Sequence, residues 1–211
     1  MNAHKNILLA LAVGTALTAC ETAQKAKEAA QNASAMSSAV QNYAANAEES
    51  QKKQDARRAK GDTLALPYTE LQKLLPESVE GYVREGEPEG QSMNMVGASY
   101  STASQTYKKG EETLKLTIVD YNNAYGLYGM ATAFLAAGYS SENANEKIGG
   151  VDLGVAEAKG WEVLRKKEKK ATLSVGVGDR FFITAEADNQ ADSDQLKAVV
   201  KQLNLARLAQ L

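Results

Sequence analysis

A single cysteine, Cys20, and a single histidine, His4, limit what this chain can do chemically. One cysteine forms no internal disulfide and supplies too few thiolates for a cysteine metal site. One histidine at position 4 leaves the rest of the chain without imidazole. That removes His-dependent triads, histidine zinc sites and histidine-ligated haem. Serine has no Gly-x-Ser-x-Gly elbow around it. Asp120, Glu111, Glu112 and Asp152 are of the type that performs two-carboxylate hydrolysis, but no motif pairs them. Gly126–Gly129 and Gly149-Gly150 lack the residues of a phosphate-binding loop and read as a helix start and turns.

Two groups remain as candidate surfaces. Tyr121, Tyr125 and Tyr128 recur at i, i+4 and i+7. Tyrosine offers an apolar body with a polar tip, so such a row suits a ligand groove or a partner surface, or simply widens a core face. Arg165, Lys166, Lys167, Lys169 and Lys170 form the strongest basic run, interrupted only by Glu168. At a hairpin tip it can contact phospholipid head groups, lipopolysaccharide phosphates or the acidic wall; its other reading is a solvated turn that blunts strand edges. Net charge is −2 in 211 residues, so bulk charge does not point to nucleic acid. With 44% hydrophobic and 24% charged residues the chain is not disordered throughout.

Cys20 closes an apolar stretch. Residues 7–19 are apolar or small, of signal-peptide length and too short to span a bilayer. Leu17-Thr18-Ala19-Cys20 resembles the lipobox of bacterial lipoproteins. The resemblance implies cleavage before Cys20, a covalent lipid (diacylglyceryl thioether) on Cys20, and usually acylation of its new amine. It implies no other cofactor. Residue 21 is Glu rather than the Asp that retains enterobacterial lipoproteins in the inner membrane, so the same resemblance favours the outer membrane, facing the periplasm. The cut removes one lysine and His4 and leaves a net charge of −3.

Residues 20–62 read as the lipid anchor and an Ala-rich helical tether. Ala26, Ala29, Ala33, Met36, Val40, Tyr43 and Ala47 alternate three and four apart, a heptad stripe of small residues. Two readings stay open. One is a coiled coil that oligomerises the chain through residues 26–47, in loose resemblance to the major murein lipoprotein. The other is a solvated spacer, since Ala buries little area per contact. Fully helical, some 40 residues would span roughly 60 Å. Gln51–Lys60 carries five positive charges and one negative and reads as a solvated helix end.

Residues 63–211 read as one α+β domain. Thr69–Leu75 is expected as a helix, Gly81–Glu87 as a strand, and Gly86–Gly90 as an acidic turn. Asn94–Lys108 and Thr113–Asp120 alternate as strands around a Gly-containing loop. A helix over Asn123–Ala137, capped by Asn122 or Asn123 and ended at Gly138, is expected to bury Leu127, Met130, Ala131, Phe134 and Leu135. Strands follow at Val151–Ala158, Trp161–Lys166, Thr172–Val177 and Arg180–Ala187, the last two joined by a Gly178-Asp179 turn. Asp192 and Gln195 suggest a capping box before a helix that buries Leu196, Val199, Val200 and Leu203. The order α-β-β-β-α-β-β-β-α implies a mainly antiparallel sheet with packed helices. It is similar, in element order alone, to Mog1/PsbP-like sandwiches and to periplasmic small-lipid carriers.

The expected protein is therefore a lipid-anchored, non-enzymatic interaction or scaffolding module of the cell envelope. Its partners would be the membrane through the lipid, and an envelope protein or peptidoglycan. The alternative is a carrier or sensor of a small apolar ligand held between sheet and helix, and behind that a His-free hydrolase.

Overall fold

The alternation of Leu114, Leu116 and Ile118 with polar residues is the centre of the fold. In the computed structural model these side chains, with Phe181, Ile183, Ala185 and Ala187 of the neighbouring strand, are buried on one sheet face. The structure describes residue 37 and residues 48–211, except 80, 123, 137 and 138. Nine strands form one antiparallel sheet: β1 (Ser78–Val79), β2 (Tyr82–Met95), β3 (Ala98–Lys109), β4 (Glu112–Asp120), β5 (Ser141–Glu142), β6 (Glu146–Val151), β7 (Ala158–Arg165), β8 (Lys170–Val177) and β9 (Phe181–Ala187). Their spatial order is β1-β2-β3-β4-β9-β8-β7-β6-β5, two meanders joined where β4 pairs with β9. The fold is thus α+β with an open antiparallel sheet.

The first face is closed by α2 (Tyr68–Gln72), α4 (Asp194–Lys201) and α5 (Leu205–Leu208). Leu71, Leu75, Leu196, Val199, Val200, Leu203, Leu205 and Leu208 join the sheet residues in one core. The opposite face carries α3 (Tyr125–Thr132) and a 3-10 turn, Ala133–Ala136. Residues 48–59 are also helical and are labelled α1.

Several expectations are corrected. Gly86–Gly90 is no turn: β2 runs through it with a shift of register between Glu85 and Glu89. A bulge absorbs the extra residues, and Pro88 is tolerated because this part of β2 lies at the sheet margin. The segment from Asn94 onward is not one strand. Met95 pairs with Ala98 across Val96-Gly97, so a second hairpin was hidden in it. The expected strand Val151–Ala158 is a loop, with Gly154 at φ +76°, and pairing falls instead on β6 and β7.

α3 also differs. Met130 is 70% exposed and Leu127 is exposed, so these two members of the expected stripe face outward, whereas Leu135 packs against Gly176 and Phe134 meets Trp161 and Phe182 edge to face. Tyr128 is the buried side chain. Its hydroxyl, Thr132 and Leu135 crowd Gly176 of β8, where a Cβ would lie 2.9–3.2 Å from all three. The missing side chain at Gly176 selects which side of α3 packs. Asn122 caps no helix; Ala124 holds the N-cap position without a side-chain bond. Asp192 accepts from the amide of Asp194 rather than completing a capping box, and Ser193 is the N-cap. Gly138 lies outside the described residues. The strands join at Gly178-Asp179 as expected, but the loop has three residues: Val177 pairs with Phe181, Arg180 belongs to the turn, and Gly178 and Asp179 both take positive φ.

Candidate functional site

The strand directions give the sheet two distinct ends. At the near end lie the β2–β3 turn at Val96-Gly97, the C-terminus of β4 at Asp120, and the β8–β9 turn at Gly178-Asp179. At the far end lie the β3–β4 turn at Gly110-Glu111 and the β7–β8 turn after Arg165. An eight-residue strand such as β8 separates them by roughly 26 Å.

α1 is held across the near end. Lys53 Nζ donates to Asp179 Oδ2 at 2.9 Å, and this bond raises the Lys53 pKa. Arg57 Nε donates to Asn122 Oδ1 at 2.9 Å. Asn122 Nδ2 in turn donates to Asp62 Oδ1 at 2.5 Å and to the Leu64 carbonyl at 3.0 Å. Beneath them Arg180, buried on β9's leading edge, forms a two-pronged pair with Asp120: Nε to Oδ1 at 2.9 Å and Nη2 to Oδ2 at 2.8 Å. Arg180 Nη1 also reaches Asp62 at 2.9 Å and the Leu211 carbonyl at 2.6 Å. Asp120 further accepts from the amides of Leu66 and Asn122, both at 2.9 Å. One network therefore ties α1, the segment to Leu66, β4, β9 and Leu211 together. Two of the five cations expected to be solvated, Lys53 and Arg57, point into it.

The four carboxylates considered for hydrolysis are not brought together. Asp120 is committed to Arg180. Glu112, at the far end, accepts from Tyr82 Oη at 2.6 Å, and burial plus this bond pushes the Tyr82 pKa up to about 12. Glu111 is exposed in the β3–β4 turn. Asp152 accepts from the Gly154 amide in the β6–β7 loop. The described residues contain no cluster of three or more His, Cys, Asp or Glu able to hold a metal.

A buried carboxylate that sequence reasoning missed sits on the helix-covered face. Glu162 accepts from Lys147 at 2.7 Å, from Lys197 at 3.1 Å, and from Ser193 Oγ. Burial pushes its pKa up, but the bonds from Lys147, Ser193 and Lys197 outweigh that and hold it below the usual carboxylate range. The cluster joins β6, β7 and α4. Its signal was Glu162 occupying a core-phase position between Gly160 and Leu164.

The tyrosine row divides. Tyr121 and Tyr128 meet edge to face at 6.3 Å, and Tyr100 lies 6.2 Å from Tyr121. Burial raises the pKa of both Tyr121 and Tyr128. Tyr128 lines a polar cleft of about 240 Å³ with Ser50, Lys53, Glu157, Lys159 and Asp179. Ser50 and Lys53 form a Ser-x-x-Lys spacing, against the expectation from the sequence that none is present. A serine–lysine nucleophile needs a neutral amine. Asp179 instead favours protonated Lys53, the opposite of what that chemistry requires. Tyr125 turns elsewhere, into an open groove with Gln54, Arg58, Gly97, Leu127 and Met130.

The basic run forms the far-end β7–β8 hairpin. Arg165 pairs in register with Lys170, and Lys169 takes φ +51° in the turn. Lys166 Nζ is held by Glu142 at 2.7 Å and the Asn143 carbonyl at 2.9 Å. Arg165 lies 3.8 Å from Glu168. Lys167 and Lys169 are exposed. Cys20 lies outside the described residues, as do residues 26–36 and 38–47 of the heptad stripe. Among the described residues no helix is long and apolar enough to cross a membrane.

No family model matches the sequence, and no curated protein matches it. Among solved structures the chain is similar to an uncharacterized Mycobacterium smegmatis protein, an Rv0999 ortholog, at 8% identity and a TM-score of 0.31. The match covers 64% of this chain and 94% of that one. A likeness of this size carries no argument about function.

Proposed function

We infer that the protein is a lipoprotein of the cell envelope that works as a non-enzymatic interaction module. Lipid on Cys20 anchors it to the outer membrane, facing the periplasm, and its far-end basic hairpin contacts the acidic glycan–peptide wall. The lipobox resemblance of Leu17–Cys20 supports the anchor.

One observation carries the binding reading. The chain coming from Cys20 meets the domain at α1, across the near end, while Arg165–Lys170 project from the far end. These cations lie at the opposite end of the sheet from α1, where the chain from Cys20 joins the domain, and this supports an anionic surface opposite the membrane as the one they fit. Exposed cations gain modest, salt-screened attraction individually and more in a cluster. The carrier reading has less support, because Tyr128, Thr132 and Leu135 fill the space over Gly176 between α3 and the sheet.

Co-sedimentation with purified peptidoglycan sacculi tests this. The chain from residue 20, carrying Cys20→Ser, pellets with sacculi at low salt and releases as salt rises. Lys167→Glu with Lys169→Glu abolishes pelleting. Equal pelleting of wild type and the double variant contradicts the wall contact. The anchor has its own test: Cys20→Ala must lose membrane fractionation and signal processing.

A further inference from the structure

The near end carries a second feature that the network does not use. Beyond the Ser101–Asp120 pair the β2–β3 hairpin has no β4 residue beside it, and it projects to Val96-Gly97. Val96 is fully exposed, and Met95 and Met93 are exposed beside it. Across the groove lined by Tyr125 and Arg58 stand Leu127 and Met130 of α3, also exposed. These are the side chains of the stripe that a core was expected to bury.

The composition around them is unusual for a chain with 24% charged residues. No charged residue occurs from Gly90 to Tyr107, nor from Tyr121 to Ser141. Those two segments supply the hairpin tip and α3, so the two facing walls of the projection are uncharged. Within these two walls a protein partner's polar rim finds no charge to pair with; the charges beside them belong to α1, with Arg58 in the groove. A lipid surface requires none in the part that enters the acyl region, and tyrosines such as Tyr100, Tyr121 and Tyr125 suit the head-group boundary. Contiguous exposed apolar groups of this kind mark interaction or membrane sites.

The position of the chain outside the described residues decides the occupant. The preceding segment joins the domain at residue 48, where α1 packs on this same end. We propose that Met93, Met95, Val96, Leu127 and Met130 form a membrane-contacting tip that seats the near end of the domain on the phospholipid surface. The tip inserts its apolar side chains at the head-group boundary. It goes beyond the wall-binding reading and rests on the anchor reading for the choice of a membrane as occupant.

The test uses the chain from residue 20 with Cys20→Ser, so that no acyl chain contributes. It is mixed with vesicles of phosphatidylethanolamine containing a minority of phosphatidylglycerol, and binding is read by co-sedimentation. Wild type binds. Met95→Asp with Val96→Asp lowers the partition by at least about tenfold, as loss of one or two inserted apolar side chains implies. Met130→Asp, on the other wall, lowers it as well. Val96→Trp gives an emission that shifts to the blue when vesicles are added. These positions are exposed, and unchanged thermal unfolding shows that each variant is folded. Lys167→Glu, at the far end, leaves vesicle binding unchanged. No vesicle binding by wild type, wild-type binding by the double variant, or no emission shift in Val96→Trp overturns the proposal. Concentration-dependent dimers that dissociate in the double variant, without vesicle binding, assign the tip to a second copy and also overturn it. Because the acyl group is absent, failure here is separable from failure of the anchor, which the Cys20→Ala fractionation reads.

Discussion

Asp120→Ala should be among the most damaging single changes in the domain. Asp120 is wholly inaccessible and Arg180 is 3% exposed. Asp120 accepts four hydrogen bonds: two from Arg180 and one each from the Leu66 and Asn122 amides. Among the described residues, truncation leaves Arg180 with Asp62, the Leu211 carbonyl and the Phe181 ring, and strips two amides of their acceptor. Breaking one side of a buried ion pair costs about 3–5 kcal/mol, because the remaining charge stays desolvated. In a domain of this size that lowers the melting temperature by roughly 6–20 °C. Urea unfolding followed by tryptophan fluorescence is a suitable assay, since Trp161 lies on the other sheet face and is untouched. The partner control is Asp120→Leu with Arg180→Met. Removing both charges costs much less than the sum of the single changes, since an apolar pair of similar volume needs no compensation. A loss below about 1 kcal/mol for Asp120→Ala, or additivity in the double variant, would refute the reasoning that this pair locks the near end.

Other outcomes follow from the packing and the ionisable groups. Gly176→Ala forces its methyl into Tyr128, Thr132 and Leu135 and destabilises by about 1–3 kcal/mol in urea titration, with the change centred on α3 in hydrogen exchange. Glu162 has a lowered pKa, so its contribution is fully present above the unfolded carboxylate value and is lost as pH falls through the folded one. The stability gap between wild type and Glu162→Gln is therefore widest near neutrality and closes in acid, which a pH series of urea midpoints measures. Tyr82 has a raised pKa of about 12, so its protonated form is favoured in the fold. Stability falls as pH rises from about 10 towards 12, less steeply in Tyr82→Phe, and ultraviolet titration shows one fewer late-ionising tyrosine in that variant.

The central strands were legible because both periodicity and turn chemistry spoke for them. β4, β8 and β9 alternate cleanly, and Gly178-Asp179 sits where the hairpin needs positive φ. β5 and β6 were not legible: one has two residues, and the other contains Gly149-Gly150, which supply no side-chain pattern. α3 was legible as a helix but not in orientation. Its residues are apolar or small nearly all round, so a period of 3.6 fits more than one face, and Gly176, more than 40 positions downstream, decides between them. The near-end network draws on Lys53, Arg57, Asp62, Asp120, Asn122 and Arg180, too widely spaced for any local motif. A signal was nonetheless present. Asp120 continues the buried phase of Leu114, Leu116 and Ile118, as Glu162 does between Gly160 and Leu164. A charge in a core phase requires a buried partner, and both have one.

In the proposed orientation the domain stands with its near end to the membrane and its basic hairpin to the wall. Photo-crosslinking in living cells from single positions at the two ends tests it most directly. A photoreactive side chain at position 96 should capture phospholipid, and one at position 167 should capture peptidoglycan. Lipid captured from position 167, or wall material captured from position 96, would contradict the account.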